Sequence, residues 1–134
     1  MGVADVYTGP ERRRFKRLKV DFILVYRVRE PIEAIMLVGN KEINAVMLDL
    51  CEDGMAIRTN YDIPVGTNLI IRFTLINPYF IDDYRGVRKM EIIGDVVNNT
   101  LLKERDYRLG IHFTRIARAD RVAITDFIRF ASLC

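Results

Sequence analysis

Three consecutive arginines, Arg12-Arg13-Arg14, with Phe15-Lys16-Arg17 directly after them, are the densest positive cluster in the chain, and Asp49-Leu50-Cys51-Glu52-Asp53-Gly54 follows further on. A guanidinium is always charged. Its planar fork matches a pair of phosphate oxygens or the O6/N7 edge of guanine, so clustered arginines suit an anionic guanine nucleotide. Asp49 offers a carboxylate that can accept hydrogen bonds from guanine N–H groups, and Gly54 has no side chain to keep backbone and ligand apart. The chemistry on offer is non-covalent recognition. Each residue also has a plainer use: the arginines as a solvated basic tail, Asp49 as the cap of a turn, Gly54 as a supplier of positive φ.

Nothing in the sequence supplies a catalytic constellation. There is no GxSxG, HExxH or Walker loop, and Glu52-Asp53 and Asp82-Asp83 lie in stretches that read as solvated turns, so the chain is not expected to be an enzyme. His112 is the sole histidine and has no cysteine at ligand spacing, which predicts a surface or packing role and no metal site. Two cysteines, Cys51 and Cys134, form no CxxC or zinc pattern and imply neither a disulfide framework nor a cofactor. With Glu52 and Asp53 beside it, Cys51 reads as an inert buried thiol rather than a redox-tuned one.

At 134 residues and half apolar, the chain has the size of one ordinary domain and enough apolar material for a core without disulfides or a structural metal. Its charge is unevenly spread. Residues 1–19 hold six basic and two acidic side chains, a surplus of four, so within the total of +3 the other 115 residues carry a net −1. No signal-peptide core is present, and no apolar run approaches the roughly 20 residues of a membrane-spanning helix. The cytoplasm is the expected location, with no membrane insertion.

The elements that must position these residues are mainly strands. Residues 1–18 lack helical or strand periodicity and contain Gly2, Gly9 and Pro10, which predicts a flexible basic arm. Strands are predicted over 22–28, 43–50, 55–59, 69–75, 91–98 and 107–113. The clearest has Leu69, Ile71, Phe73 and Leu75 alternating with Ile70, Arg72 and Thr74. In the last, Leu109, Ile111 and Phe113 share one face, with Arg108 and His112 on the other. Pro64-Val65-Gly66 and Asn98-Asn99 read as turns. Residues 77–89, with Tyr79, Phe80 and Tyr84, read as a long connection suited to a contact surface. The period then changes: Ile124, Phe127, Ile128 and Ala131 form one helical stripe, with Asp120 in the first turn where it suits the macrodipole. Six strands with short connections and a single late helix predict a small antiparallel barrel.

With these residues in view, the chain resembles the PilZ domain family, bacterial receptors for the second messenger cyclic di-GMP. Arg13 to Arg17 fits the family's RxxxR, with Arg12 as a preceding extra arginine, and Asp49 to Gly54 resembles its [DN]xSxxG. Met55-Ala56-Ile57 is similar to the strand after that motif, and Leu109-Gly110-Ile111-His112-Phe113 to the late GIxF strand. The resemblance covers about residues 11–130. It implies a mainly β fold: a six-stranded antiparallel PilZ-like β-barrel over residues 19–134, with the flexible arm of residues 1–18 and one C-terminal helix. It also implies a ligand site for cyclic di-GMP made by Arg12, Arg13 and Arg17 against Asp49, Cys51 and Gly54, with no cofactor beyond that ligand. Cys51 departs from the pattern, which has serine there; a thiol is the weaker donor and would lower affinity.

The function so implied is that of a receptor whose surface changes as the arm orders on the ligand, signalling to an unidentified effector protein in motility, biofilm or exopolysaccharide control. With no output domain in the sequence, that effector is expected to be a separate molecule. The alternative is a degenerate PilZ adaptor that binds proteins and no nucleotide. A specific nucleic-acid partner is not expected, since only Tyr7 and Phe15 accompany the basic cluster. A homodimer through the terminal helix or residues 77–89 is left open.

Overall fold

The computed structural model describes residues 18–77 and 86–132. Arg12, Arg13 and Arg17, the aromatic residues Tyr79, Phe80 and Tyr84, and Cys134 lie outside the described residues. The element order is β1 (Leu18–Glu30), α1 (Ile32–Val38), β2 (Ile43–Cys51), β3 (Gly54–Thr59), β4 (Asn68–Ile76), β5 (Val87–Lys103), β6 (Asp106–Arg115) and α2 (Arg118–Ser132). The six strands pair antiparallel throughout and close in the order β1-β2-β3-β6-β5-β4.

Closure follows from the alternation. In β4, Leu69, Ile71, Phe73 and Leu75 are buried while Arg72, Thr74 and Ile76 are exposed. The same period places Leu24, Tyr26, Met47, Leu50, Ile57, Ile92, Val96 and Leu109 inside the barrel. Each buried aliphatic side chain stabilises the fold by about 1.5–3 kcal/mol relative to exposure. Among the described residues, Tyr26 is the large polar side chain of this interior, and its hydroxyl pairs with Thr59 Oγ1 at 2.9 Å. Burial in apolar surroundings raises the Tyr26 phenol from its ordinary 10.0 to about 12, outweighing the opposing effect of the Thr59 hydrogen bond.

Helix α2 closes the barrel with the predicted stripe: Ile124, Phe127 and Ile128 are buried, and the Phe127 ring lies 5.7 Å from that of Phe22 on β1. Asp120 sits in its first turn and also accepts from Arg88 Nε at 2.7 Å.

Two expectations are corrected. A second, short helix, α1, connects β1 to β2. Only Ala34 and Val38 of its seven residues are buried, while Ile32, Met36 and Leu37 are exposed, so it carries no amphipathic period that a sequence window would register. Gly39, at φ +81, stops it, with its N–H on Met36 O and that of Asn40 on Ile35 O. Asn98-Asn99 is not a turn. Both residues lie within β5, which runs on to Lys103; Asn99 Nδ2 donates to Asp62 Oδ1 and to Ile63 O at 2.8 Å each. The chain reverses between Lys103 and Asp106, where Arg105 has φ +58. Pro64-Val65-Gly66 is a turn as expected, with the Thr67 N–H on Pro64 O and Gly66 at φ +96.

Candidate ligand site on the outer face of the barrel

Strand β2 carries one extra residue against β3: Met47 pairs with Ile57 and Asp49 with Ala56, so Leu48 is unopposed. Such a bulge turns the following side chain to the other face. Leu50 and Met55 point inward, and Asp49 faces outward from the barrel wall. Its carboxylate is held from two sides. Oδ1 accepts the Ala56 N–H at 3.1 Å, and Oδ2 accepts from Arg108 Nη2 at 3.1 Å. The two bonds orient the carboxylate; an ionised carboxylate has about four acceptor sites, so it can accept further donors as well.

Cys51 and Gly54 form the next outward pair, and Glu52-Asp53 turns the chain between them. The buried Cys51 thiol donates toward Asp53 Oδ1 at 3.0 Å and toward Gly54 O at 3.4 Å. Gly54 is glycine because of a close backbone approach: a Cβ there would overlap the carbonyl oxygen of Ile111 on β6. It is not in the left-handed region, so the positive-φ reading is corrected. The turn is clasped by β6 and by α2. Phe113 N–H donates to Asp53 O at 2.8 Å, Arg121 Nη1 to Glu52 O at 3.0 Å, and Thr125 Oγ1 to Glu52 Oε1 at 2.9 Å.

Across β3 and β6 the outer face carries small residues at Gly54, Ala56 and Gly110, flanked by Arg58, Arg108 and His112. Ala56 pairs with Gly110, Gly54 with His112 and Arg58 with Arg108. Two arginines directly opposite would repel, and each has its own carboxylate: Asp49 for Arg108, Asp106 for Arg58. The Arg58–Asp106 pair is bidentate, at 2.8 and 2.6 Å. That hydrogen-bonded guanidinium holds the Asp106 carboxyl below the usual carboxylate range and raises Arg58 in turn.

Of the residues singled out from sequence, Asp49, Cys51 and Gly54 therefore share one outer edge. Arg12, Arg13 and Arg17 lie outside the described residues, but the described chain fixes where their segment joins the barrel. Leu18 pairs with Leu50, and Lys19 with Asp49. The arginine cluster is thus covalently attached beside Asp49, and Arg17 immediately precedes Leu18. Sequence reasoning placed Arg108 on the wet face of its strand without assigning it to this site. It missed the floor residue Ala56 and read Asn98 as a turn. Arg108 was findable from the alternation of β6; Asn98 was not, because a bulge in β5 decides where it points.

Among the described residues no helix is long and apolar enough to cross a membrane, and no group of three or more histidine, cysteine or acidic side chains gathers as a metal would need.

No relative among the curated protein sequences matches the chain. The inhibitor of motility from Bacillus subtilis (MotI/DgrA) is similar in structure, with a TM-score of 0.66 and 16% identity over 90% of this chain and 52% of that one. The PilZ domain of YcgR from Escherichia coli with c-di-GMP matches with a TM-score of 0.56 and 15% identity, over 90% of this chain and 95% of the domain. K. pneumonia MrkH in complex with c-di-GMP matches with a TM-score of 0.63 and 12% identity, over 92% of this chain and 52% of that one. The chain spans about half the length of the first and third of these. The model of the PilZ domain family matches residues 11–130, a span that takes in the arginine cluster, the Asp49–Gly54 turn and the barrel. With the closed six-stranded barrel and its terminal helix, that match establishes that the chain belongs to the PilZ domain family.

Proposed function

We propose that this chain is a cyclic di-GMP receptor, a binding module rather than an enzyme, that signals ligand occupancy to a partner protein. One observation carries the reading: the arginine cluster is attached to the barrel at the register where Lys19 pairs with Asp49, beside the outward carboxylate and the turn that ends at Gly54. Arg13 and Arg17 supply charge and bidentate forks for phosphate and guanine, with Arg12 assisting. Asp49 accepts guanine N–H groups, and the small side chains of Gly54 and Ala56 leave room for a flat ring. Two of the similar structures, the YcgR PilZ domain and MrkH, hold c-di-GMP, which supports the reading. The match to the inhibitor of motility is consistent with an effector in motility control.

Thermal melting tests it. Ligand at one hundred times its Kd adds about 2.7 kcal/mol to the folded state, enough to raise the melting temperature by several degrees. Cyclic di-GMP should do so, while GTP and cyclic di-AMP at equal concentration leave the midpoint in place. An equal rise with all three would mean unselective polyanion binding.

A ligand-free adaptor is favoured by one observation only, the Cys51 thiol directed into its own turn where the family pattern has serine. In that reading, Cys51→Ser restores cyclic di-GMP binding that the native chain lacks.

A further inference from the structure

Resting on the receptor reading, we propose that Asn98 is a second base-reading residue, taking the hydrogen-bonding edge of the ligand's other purine at the opposite end of the floor from Asp49. The placement comes from a second bulge. On β5, Val96 pairs with Ile111 and Asn98 with Gly110, leaving Val97 unopposed. Val96 is buried in the core and Val97 is exposed, so the extra residue swings Asn98 to the outer face.

One outward row therefore reads Asp49, Ala56, Gly110, Asn98 across four strands. A bulge aims a polar side chain at each end, with Ala56 and Gly110 as the row's own residues between them and the Arg108 guanidinium reaching in from the neighbouring row to Asp49. At about 4.8 Å per strand the row is about 14 Å wide, so each end faces its own base. Gly110 is part of the device. A Cβ there would sit 2.5 Å from Asn98 Nδ2 and 2.6 Å from Oδ1, so glycine is what lets the Asn98 amide lie down on the sheet. The neighbouring Asn99 gives its amide to Asp62 and Ile63, whereas Asn98 is exposed at the floor.

The two ends read differently. A carboxylate only accepts, which matches the N1–H and N2–H groups of guanine. A carboxamide both donates and accepts, which matches O6/N1–H of guanine or N6/N7 of adenine. The Asp49 end thus demands guanine, and the Asn98 end takes either purine. The mixed cyclic GMP–AMP dinucleotide should bind nearly as well as cyclic di-GMP, and cyclic di-AMP poorly.

Equilibrium dialysis of labelled cyclic di-GMP and cyclic GMP–AMP against the native chain, Asn98→Ala, Asn98→Asp and Gly110→Ala tests this, with melting curves to verify folding. Asn98→Ala should weaken both ligands roughly tenfold, and Gly110→Ala, which displaces the amide, should do the same. Asn98→Asp should hold cyclic di-GMP within about threefold while weakening the mixed dinucleotide by roughly tenfold or more. If Asn98→Ala binds both ligands within about twofold of the native chain, Asn98 reads no base; Asp49→Ala still losing affinity would then leave the receptor reading standing. A native chain that binds neither dinucleotide overturns both readings.

Discussion

Cys51 stands where the family pattern has a hydroxyl, and its thiol donates to Asp53 and Gly54 inside the turn. A serine in that place would be a stronger donor in a smaller volume. Cys51→Ser should tighten cyclic di-GMP binding by about 1 kcal/mol, roughly fivefold, in a direct comparison of dissociation constants. Gly54 obeys a stricter constraint, since the atom a Cβ would strike is the backbone carbonyl of Ile111 rather than a side chain that can swing away. Gly54→Ala should cost about 1–3 kcal/mol of stability in urea unfolding, as overpacking does, whether or not ligand is present. Asp49 and Gly54 stand out in the sequence only together with the upstream arginines, because a carboxylate and a glycine at that spacing also suit an ordinary turn. The alternation of β6 puts Arg108 on the outer face, but its pairing with Asp49 and the outward turn of Asn98 depend on cross-strand register and a bulge in β5, which the sequence does not display.

Helix α2 does more than close the barrel. Its Arg121 and Thr125 hold Glu52 inside the turn between Cys51 and Gly54, and its Phe127 packs on Phe22 of the strand that follows the arginine cluster. The helix thus touches both sides of the candidate site. A double-mutant cycle of Thr125→Val and Glu52→Ala should show a coupling of about 0.5–1.5 kcal/mol in urea unfolding; additive effects would mean the contact contributes nothing. The strands and α2 are legible because their burial periods are long and regular: two in β4, near 3.6 over Ile124, Phe127 and Ile128. Helix α1 escapes notice because its exposed Ile32, Met36 and Leu37 erase the contrast between faces. The extension of β5 through Asn98-Asn99 escapes it because asparagine pairs signal turns wherever bulges do not absorb them.

For the molecule as a whole, two groups bracket the pH range of stability. The carboxyl of Asp106, lowered by Arg58, binds its proton less readily in the folded state than in the unfolded chain. Its contribution is present above an unfolded carboxyl value of about 4 and is lost as pH falls through the lowered folded value. Asp106→Asn should therefore flatten the acid limb of a stability profile. Tyr26 acts at the other end: its phenol is raised to about 12, so the unfolded chain ionises first and stability falls between about 10 and 12. Tyr26→Phe should remove that alkaline loss, at a cost of about 0.5–1.5 kcal/mol at neutral pH from the lost hydrogen bond to Thr59, whose oxygen still accepts the Tyr61 N–H.

The most direct test of the receptor reading is titration calorimetry of the native chain with cyclic di-GMP, beside GTP and cyclic di-AMP, repeated on Arg13→Ala/Arg17→Ala. Micromolar or tighter binding of cyclic di-GMP, selective over the other two and lost in the double variant, is the predicted result. No heat at millimolar cyclic di-GMP, or equal binding by the double variant, would contradict it.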